Sequence, residues 1–361
     1  MKKTSLLLAL SATLAAGQAL AQSSVSISGT VDAWAGSREL SGGLRSTRLD
    51  SGGLTTSQLN FSGVEDLGGG LKADFALGMF LRADSGEAGR FAGDAFFGRS
   101  SYVGLSGSWG TLRLGRQSTG NFLNFIRTNA FADSATFGPA MLHTWISAIA
   151  QGTQFLSGGA PATNRSLTGA LGTTDSAWNN AVGYITPNMG GVTVMAQWAP
   201  SETAGVGARK ALSAFYAAGP LNLALATERM GAASVPASGP AAAVLAEQST
   251  WQLSGAYALG FARVSAGYFT TRRDYATLVD DRVRTWHVGA TIPAGPGAVM
   301  LQTASTRQSP DTGASTKRTT TTLGYDYPFS KRTDVYAVYM NDKFTGNAAG
   351  NSFGIGLRHR F

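Results

Sequence analysis

Three histidines and one serine motif are the residues of this chain whose types could support hydrolytic chemistry. A G-x-S-x-G string spans Gly350–Gly354 with Ser352 at its centre, and the histidines are His143, His287 and His359. A serine nucleophile in this string needs a strand before it and a helix after it. Here a loop precedes the string, a strand-like run follows, and the histidines have no metal-ligand spacing. The sequence therefore predicts neither an enzyme nor a cofactor; a membrane-barrel lipase or protease is the alternative.

The run that follows this motif alternates between two kinds of residue. One set is Phe353, Ile355, Leu357 and Phe361, and the intervening set is Gly354, Gly356, Arg358 and Arg360. A period of two is typical of a β-strand with one apolar and one polar face. The pattern predicts a final strand whose apolar face contacts lipid. The two arginines then lie on the wet side, near one rim.

Residues 1–21 have the pattern of a secretory signal peptide. Lys2 and Lys3 form a short positive region, an apolar core follows, and Ala19-Leu20-Ala21 matches a cleavage site. The apolar core is too short for a typical membrane span, and an uncleaved anchor is the alternative. Cleavage after Ala21 would leave residues 22–361 as a single domain. It would remove two lysines, so the formal charge would fall from +8 to +6.

The composition excludes several classes of protein. The chain has Cys 0, so no disulfide framework holds an exported domain together. Charged residues make up 14%, against a typical figure near 25%, and Gly 47 is about twice the average usage. No run of about 18 apolar residues follows residue 21, which excludes helical spans. A basic, aromatic-interleaved stretch is missing as well, so no nucleic acid partner is predicted.

Strand-like segments recur along the chain, joined by short turns and longer loops in alternation. About 16 of them can be counted, which predicts an all-β fold: a transmembrane antiparallel β-barrel. A water-soluble all-β protein is the alternative, but no linker between separate sandwiches is visible. Aromatic residues that suit the headgroup level of a membrane recur near the predicted strand ends. They are Tyr184, Trp198, Tyr216, Trp251, Tyr257, Tyr268, Trp286, Tyr325, Tyr327 and Tyr336.

One connection, at about residues 117–177, is far longer than the others. Loops longer than about 12–15 residues are usually functional or disordered. This one contains core-type residues, including Phe125, Phe137, Leu142 and Trp145. Folded into the lumen of a barrel it would narrow the pore. A surface loop with a small helix near residues 140–150 is the alternative.

The chain resembles the trimeric general-diffusion porins of the Gram-negative outer membrane, in their β-proteobacterial branch. The resemblance covers essentially the whole chain after residue 21. It is carried by an ordered series of motifs, which are Ser28–Ala33, Phe61–Ala73, Ser101–Gly107, Gly110–Gln117, Leu323–Tyr327, Ser330–Ala337 and Leu357–Phe361. The family implies sixteen antiparallel strands, a homotrimer, and a third loop that forms the constriction.

The resemblance also implies which residues line the pore. In related porins a basic cluster on the wall faces acidic groups on the third loop. Arg99 occupies one wall position and Arg165 a second, whereas the third, normally Arg, is Gln58 here. The acidic side is represented by Asp133, without the Pro-Glu-Phe-Gly-Gly tip found in relatives. Two further arginines, Arg116 and Arg127, are added as candidates for the lumen.

An excess of arginine over carboxylate in a narrow, low-dielectric pore favours anions. The sequence therefore predicts a passive diffusion channel for ions and small hydrophilic solutes with a weak anion preference. A substrate-specific channel of the same fold is the alternative. The residues at the inward-facing strand positions favour general diffusion, because they are scattered Ser, Thr, Gly and Asn rather than a continuous basic track.

The same resemblance implies a location and partners. An exported chain of this kind resides in the outer membrane of a Gram-negative bacterium, in contact with its lipids and lipopolysaccharide. In the family, a final aromatic residue is read by the outer-membrane assembly machinery, and Phe361 occupies that position. The last strand must also pair with the first, near Val25, because a barrel in lipid leaves no open edge.

Overall fold

A computed structural model describes residues 24–90, 93–146, 176–202, 204–235, 243–276 and 279–361. The predicted signal peptide and Arg165 lie outside these ranges. The strands are β1 Ser24–Arg38, β2 Ser46–Ser51, β3 Gln58–Gly68, β4 Leu71–Phe80, β5 Ser100–Gly107, β6 Gly110–Ser118, β7 Ala177–Ile185, β8 Val192–Ala199, β9 Arg209–Ala218, β10 Leu221–Met230, β11 Ala233–Val235, β12 Ala243–Ala258, β13 Arg263–Tyr275, β14 Asp281–Ala294, β15 Gly297–Pro310, β16 Thr316–Pro328, β17 Thr333–Phe344 and β18 Gly350–Arg360. The helical segments are α1 Gly120–Arg127, α2 Pro139–Met141 and a π-turn at Leu142–Ile146.

These strands form one closed antiparallel barrel with sixteen strand positions around its wall. Strands β2 and β3 pair with successive parts of β1 and together occupy one of these positions as an interrupted strand. Strands β10 and β11 both pair with β12 and together form a second interrupted strand. The barrel closes where β1 pairs with β18, from Thr30 opposite Arg360 to Ser37 opposite Phe353. The predicted strand number and the pairing of the last strand with the first are both confirmed.

Each strand alternates between a lipid-facing and a lumen-facing side. On β18, Phe353, Ile355 and Leu357 are about half exposed on the outside, as predicted, whereas Ser352 is buried inside. Neighbouring strands repeat this arrangement because residues in register share a face. An outward apolar face suits hydrocarbon, and the closed ladder satisfies the backbone groups.

The connections divide the barrel into two ends. Two-residue turns, such as 69–70 and 295–296, lie at one end, and longer segments, such as 39–45 and 311–315, lie at the other. In barrels of this type the short turns are periplasmic and the longer loops extracellular. None of the helices within the described ranges is long and apolar enough to cross a bilayer.

Part of the barrel interior is a packed hydrophobic core instead of open lumen. The third loop contributes Phe131, Phe137 and Leu142 to a cluster that includes Trp34 and Met340 of the wall. The rings of Phe137 and Trp34 meet edge to face, with centroids 4.8 Å apart. Residues 120–146 of the loop are therefore folded into the barrel, as predicted, and are not on the surface.

One of the predicted boundary aromatics belongs to this core. Tyr336 is 2% exposed and lies on the inward face of β17, with Val338 and Met340. Its placement at the headgroup level was therefore wrong. The inward face of β17 is apolar because the third loop covers it, so alternation alone does not distinguish the two faces of this strand.

Candidate pore constriction

Hydrogen bonds attach the third loop to the inner wall along its described length. The hydroxyl of Thr128, at the end of α1, bonds the Ser254 hydroxyl at 2.8 Å. Further along, the Ala140 N–H donates to the side chain of Gln302 at 3.2 Å. These partners lie 126 and 162 residues away in sequence. The loop is therefore held at two separate places on the wall.

His143, one of the three histidines, is part of this attachment. Its Nδ1 lies 2.7 Å from the Thr306 hydroxyl and its Nε2 lies 2.8 Å from the Thr320 hydroxyl. Burial lowers the pKa of His143 to about 3, and the nearby Arg318 lowers it further. The ring is therefore neutral at physiological pH, with one nitrogen donating and the other accepting. Both ring nitrogens are hydrogen-bonded to hydroxyls of the wall, so His143 ties the third loop to β15 and β16.

A second inward segment supports the loop. Residues 52–57, which separate β2 from β3, bend into the barrel around the carboxylate of Asp32. This carboxylate accepts the backbone N–H groups of Gly53 at 3.1 Å, Leu54 at 2.9 Å and Thr55 at 2.8 Å, and it also accepts the hydroxyl of Tyr336. A buried carboxylate with several donors is a well-satisfied group. We call residues 52–57 the inner bend.

Arg99 lies on the inner wall, next to β3 and β4. Its Nη1 donates to Asn60 Oδ1 at 3.0 Å, and its backbone N–H donates to Gly78 at 3.0 Å. Gln58 precedes Asn60 by two positions on β3 and pairs with Thr30, so it shares the inward face. The structure therefore brings Arg99 and Gln58 to one wall. Gln58 adds no charge there.

Asp133 on the third loop faces this wall. Burial raises the pKa of Asp133 to about 6, opposed by the positive charges of Arg358 and Arg99. In turn, burial lowers the pKa of Arg99, opposed by Asp133. The two groups thus interact electrostatically across the space between wall and loop. No salt bridge within 4.0 Å links Arg99 to a carboxylate in the part of the chain that is described.

Arg113 faces the lumen, although it is not among the pore residues predicted from the sequence. Its guanidinium lies 3.5 Å from Asp74 and stacks on the Tyr102 ring, 4.5 Å from the centroid. Asp74, Gly104 and Arg113 are register partners on β4, β5 and β6. A side chain at Gly104 would come within 2.4 Å of Asp74, so the glycine leaves space for the ion pair. The outward Leu112 and Leu114 already indicated that Arg113 points inward.

Arg127, at the end of α1, also points into the lumen. Its guanidinium stacks on the ring of Phe215, 4.8 Å from the centroid, and its carbonyl accepts a hydrogen bond from Arg263. Burial lowers the pKa of Arg127. Arg263 was also missing from the candidates, although its position next to the outward Val264 indicated an inward side chain. Within the described residues, neither arginine is paired with a carboxylate.

Arg116 lies on the other side of the wall. It pairs with Ser101 on β5, two positions from Val103, which is 57% exposed to the outside. Its side chain bonds the Gly98 carbonyl at 2.7 Å and the Asn179 side chain at 2.6 Å. Its register therefore contradicts the expectation that it faces the lumen. The same alternation that places Leu114 outside places Arg116 outside.

A closed barrel with an inward loop and charged groups on both sides of the remaining space is the architecture of a diffusion channel. Comparison with known families is consistent with this class. A family model described as Gram-negative porin matches residues 7–347. The chain therefore belongs to the Gram-negative porin family, forms a passive diffusion channel, and resides in the outer membrane.

Two curated relatives match nearly the whole chain. Outer membrane porin protein 32 of Delftia acidovorans is 30% identical over 364 aligned positions, covering 98% of this chain and 92% of the relative. An outer membrane porin protein of Bordetella pertussis is 28% identical, and the match covers all of both chains. The similarity thus extends across strands and loops alike.

Solved structures agree with the fold. The anion-selective porin from Comamonas acidovorans superposes with a TM-score of 0.74 at 25% identity, covering 94% of this chain and all of that chain. OmpT of Vibrio cholerae superposes with a TM-score of 0.67 at 16% identity, covering 94% and 98%. The second likeness concerns the fold alone.

Proposed function

We propose that this porin is a homotrimeric general-diffusion channel with a weak preference for anions. The observation that carries this proposal is the imbalance of charge in the lumen. Arg99, Arg127 and Arg263 point into the lumen without a carboxylate in ion-pair contact among the described residues, and Asp133 faces only the first of them. A water-filled constriction with low-dielectric walls focuses the electric field of these uncompensated positive charges.

Three further observations agree with the same selectivity. Arg113 is compensated by Asp74 at 3.5 Å, so this pair adds little net charge. Asp133 has a pKa of about 6, so its negative charge is only partly present under mildly acidic conditions. The solved porin from Comamonas acidovorans is described as anion-selective, which agrees with this assignment. We include Arg165 as a proposed wall residue on the resemblance alone.

The proposal includes processing and partners. Residues 1–21 act as a cleaved signal peptide and residues 22–361 form the mature barrel. Phe361, whose ring packs over Gly29 and whose backbone pairs with it at the seam, is the residue recognised by the assembly machinery. The outer face contacts membrane lipids and lipopolysaccharide. Three copies assemble, as the family resemblance implies.

The test is the reversal potential of the purified protein in a planar lipid bilayer under a KCl gradient. We expect a potential of the anion-selective sign that shrinks in Arg99→Ala. Arg116→Ala removes the same charge from the outer face and is the matched control, for which we expect no change. The preference should also fade at high salt, because the Debye length falls to about 3 Å at 1 M. A cation preference that Arg99→Ala leaves unaltered would contradict the charge assignment.

A further inference from the structure

A series of hydrogen bonds crosses the inner wall and passes through the third loop. The hydroxyl oxygens of Thr285 on β14 and Thr306 on β15 lie 2.7 Å apart, and the Thr306 hydroxyl lies 2.7 Å from His143 Nδ1. On the other side of the ring, His143 Nε2 lies 2.8 Å from the Thr320 hydroxyl on β16. That hydroxyl lies 2.5 Å from Asp342 Oδ1 on β17. We call these five buried side chains the inner network.

Asp342 is the charged end of the inner network. Its Oδ1 lies 2.8 Å from Arg318 Nε and its Oδ2 lies 3.2 Å from Arg318 Nη2, so the two side chains form a buried ion pair. Its Oδ2 also accepts the backbone N–H of Ser41 at 3.1 Å, in the loop segment 39–45. An ionised carboxylate accepts hydrogen bonds and donates none. The Thr320 hydroxyl must therefore donate its proton to Asp342.

This donation sets the direction of every other bond in the inner network. A hydroxyl has one proton, so Thr320 can only accept from His143, and the ring must carry its proton on Nε2. The unprotonated Nδ1 then accepts the hydroxyl proton of Thr306. Thr306 accepts in turn from Thr285. The neutral ring of His143 therefore has the Nε2–H tautomer.

Without the carboxylate, the same groups satisfy the opposite direction as well. Thr320 can then donate to Nε2, and the ring can donate from Nδ1 to Thr306. His143 keeps two hydrogen bonds in both arrangements, so the ring and its two threonines do not select between them. The charge on Asp342 selects, because the reversed direction would place the lone pairs of Thr320 against a carboxylate oxygen 2.5 Å away.

We propose that Asp342 is a positioning residue of the constriction: it acts through Thr320 to hold His143 in the Nε2–H tautomer and the third loop in one orientation on the wall. A buried polar network whose members are all satisfied specifies a single arrangement. The segment 39–45 is bonded to the same carboxylate, so a connection at the loop end of the barrel and the third loop share one anchor. The inference rests on the passive channel and is independent of its proposed anion preference.

The tautomer is measured by solid-state nitrogen and carbon NMR of the purified protein, isotope-labelled at histidine and reconstituted in lipid bilayers. The sequence has His 3, and His143→Gln identifies the signals of His143. In the native protein we expect the Nε2–H form of His143 to exceed the Nδ1–H form roughly tenfold or more, because hydrogen bonds to charged groups are among the stronger ones. His359, on the outer face, is the reference in the same spectrum.

The first variant removes the charge together with its partner, since a buried charge left alone is strongly destabilising. In Asp342→Leu/Arg318→Met the Thr320 hydroxyl loses its acceptor. We expect the preference of His143 for the Nε2–H form to fall roughly tenfold or to reverse, because the charged acceptor that set the direction is gone.

Two matched threonine variants separate direction from simple attachment. Thr320→Val removes the acceptor of Nε2 and keeps the ion pair, so the proton should move to Nδ1, where Thr306 can accept it. Thr306→Val removes the bond on the other side of the ring and should keep the Nε2–H form. If the two threonines served attachment alone, the two variants would have the same tautomer. Should the ion-pair variant fail to assemble, this comparison still decides.

Single-channel recordings in planar bilayers connect the tautomer to the pore. We expect current fluctuations in Thr320→Val to be several-fold larger than in the native protein. Thr303→Val is the control, because it removes a hydroxyl contact of the same length, 2.7 Å to Thr321, from the lipid-facing side of β15. Neither readout depends on the sign of the reversal potential, so loss of the proposed anion preference leaves both results standing.

Three outcomes would overturn the proposal. The first is a native His143 with its proton on Nδ1. The second is a tautomer that stays unchanged in both Thr320→Val and the ion-pair variant. The third is a native level of current fluctuation in a variant whose tautomer has reversed. A reversed tautomer with increased fluctuations, and neither change in Thr303→Val, supports it.

Discussion

The hydroxyl of Ser134 donates a 2.6 Å hydrogen bond to the carbonyl of Gly53, across 81 residues of sequence. This bond joins the third loop to the inner bend, and the Thr136 hydroxyl adds a second one to the Gly52 carbonyl at 2.8 Å. Asp133 is the neighbour of Ser134, so the same contact sets where its carboxylate stands relative to Arg99. The wall and the loop are thus positioned by two inward segments that support each other.

Removing this contact should loosen the constriction without changing its charge. Ser134→Ala leaves buried carbonyl and backbone groups without this partner, and a lost buried hydrogen bond costs about 1–3 kcal/mol. We expect a lower free energy of unfolding in urea and noisier single-channel currents. Ser330→Ala, at a periplasmic turn, is the control. Quiet currents and unchanged stability in Ser134→Ala would show that the loop is held elsewhere.

Selectivity should depend on pH through Asp133. Its pKa of about 6 is raised from its ordinary value by burial, while Arg99 and Arg358 lower it and Asp32 raises it. As the pH falls from 7 to 5 the carboxylate gains a proton, the lumen loses a negative charge, and anion preference should increase. The reversal potential of Asp133→Asn should already resemble the acidic value at pH 7. If Asp133→Asn kept the native pH response, Asp133 would be excluded as the group whose titration changes the selectivity.

The raised pKa of Asp133 also predicts a direction for stability. Between about pH 4 and 6 the folded protein holds the proton more tightly than the unfolded chain does, so this group makes the fold less stable as the pH rises through that window. This effect is measured as the free energy of unfolding in urea, for the native protein and for Asp133→Asn, at both ends of the pH window. The difference in stability between the two proteins should grow toward pH 7.

His143 predicts the opposite dependence. Its folded pKa of about 3 lies below the unfolded value near 6.5, so its contribution is present above pH 6.5 and is lost as the pH falls toward 3. His143→Ala removes the bonds to Thr306 and Thr320 and should cost on the order of 2 kcal/mol at pH 7. Its stability should decline less on acidification than that of the native protein. His359→Ala, on the outer face, serves for comparison.

Gly354 controls how closely the loop approaches the wall. A side chain at this position would come within 2.7 Å of the Phe137 ring and 3.0 Å of Trp34. Gly354→Val should displace Phe137, cost about 1–3 kcal/mol, and change the single-channel conductance. Ile355→Val, one position away on the lipid face, should leave conductance unaltered. An unchanged conductance in Gly354→Val would mean that the loop adjusts without moving the constriction.

Much of the barrel was predictable because its pattern is local. Alternation of apolar and polar residues with a period of two identifies strands and their outward faces, and Gly- and Pro-rich turns separate them. The same alternation, applied strictly, also assigns Arg116 to the outside and Arg113 and Arg263 to the lumen. The prediction that Arg116 faces the lumen was wrong, and Arg113 and Arg263 were not predicted, although the outward neighbours Leu112, Leu114 and Val264 indicate the direction of all three side chains.

The residues of this chain, taken alone, determined its class, its strand number and most of the lipid-facing set, because each depends on spacing along the chain. Only the tertiary structure decided which loop residues meet which wall residues. Tyr336 faces inward because the third loop covers β17, and Asp133 acts on Arg99 because the inner bend and the loop are bonded together. Such contacts join segments far apart in sequence, and no local pattern encodes their distance or their charge balance.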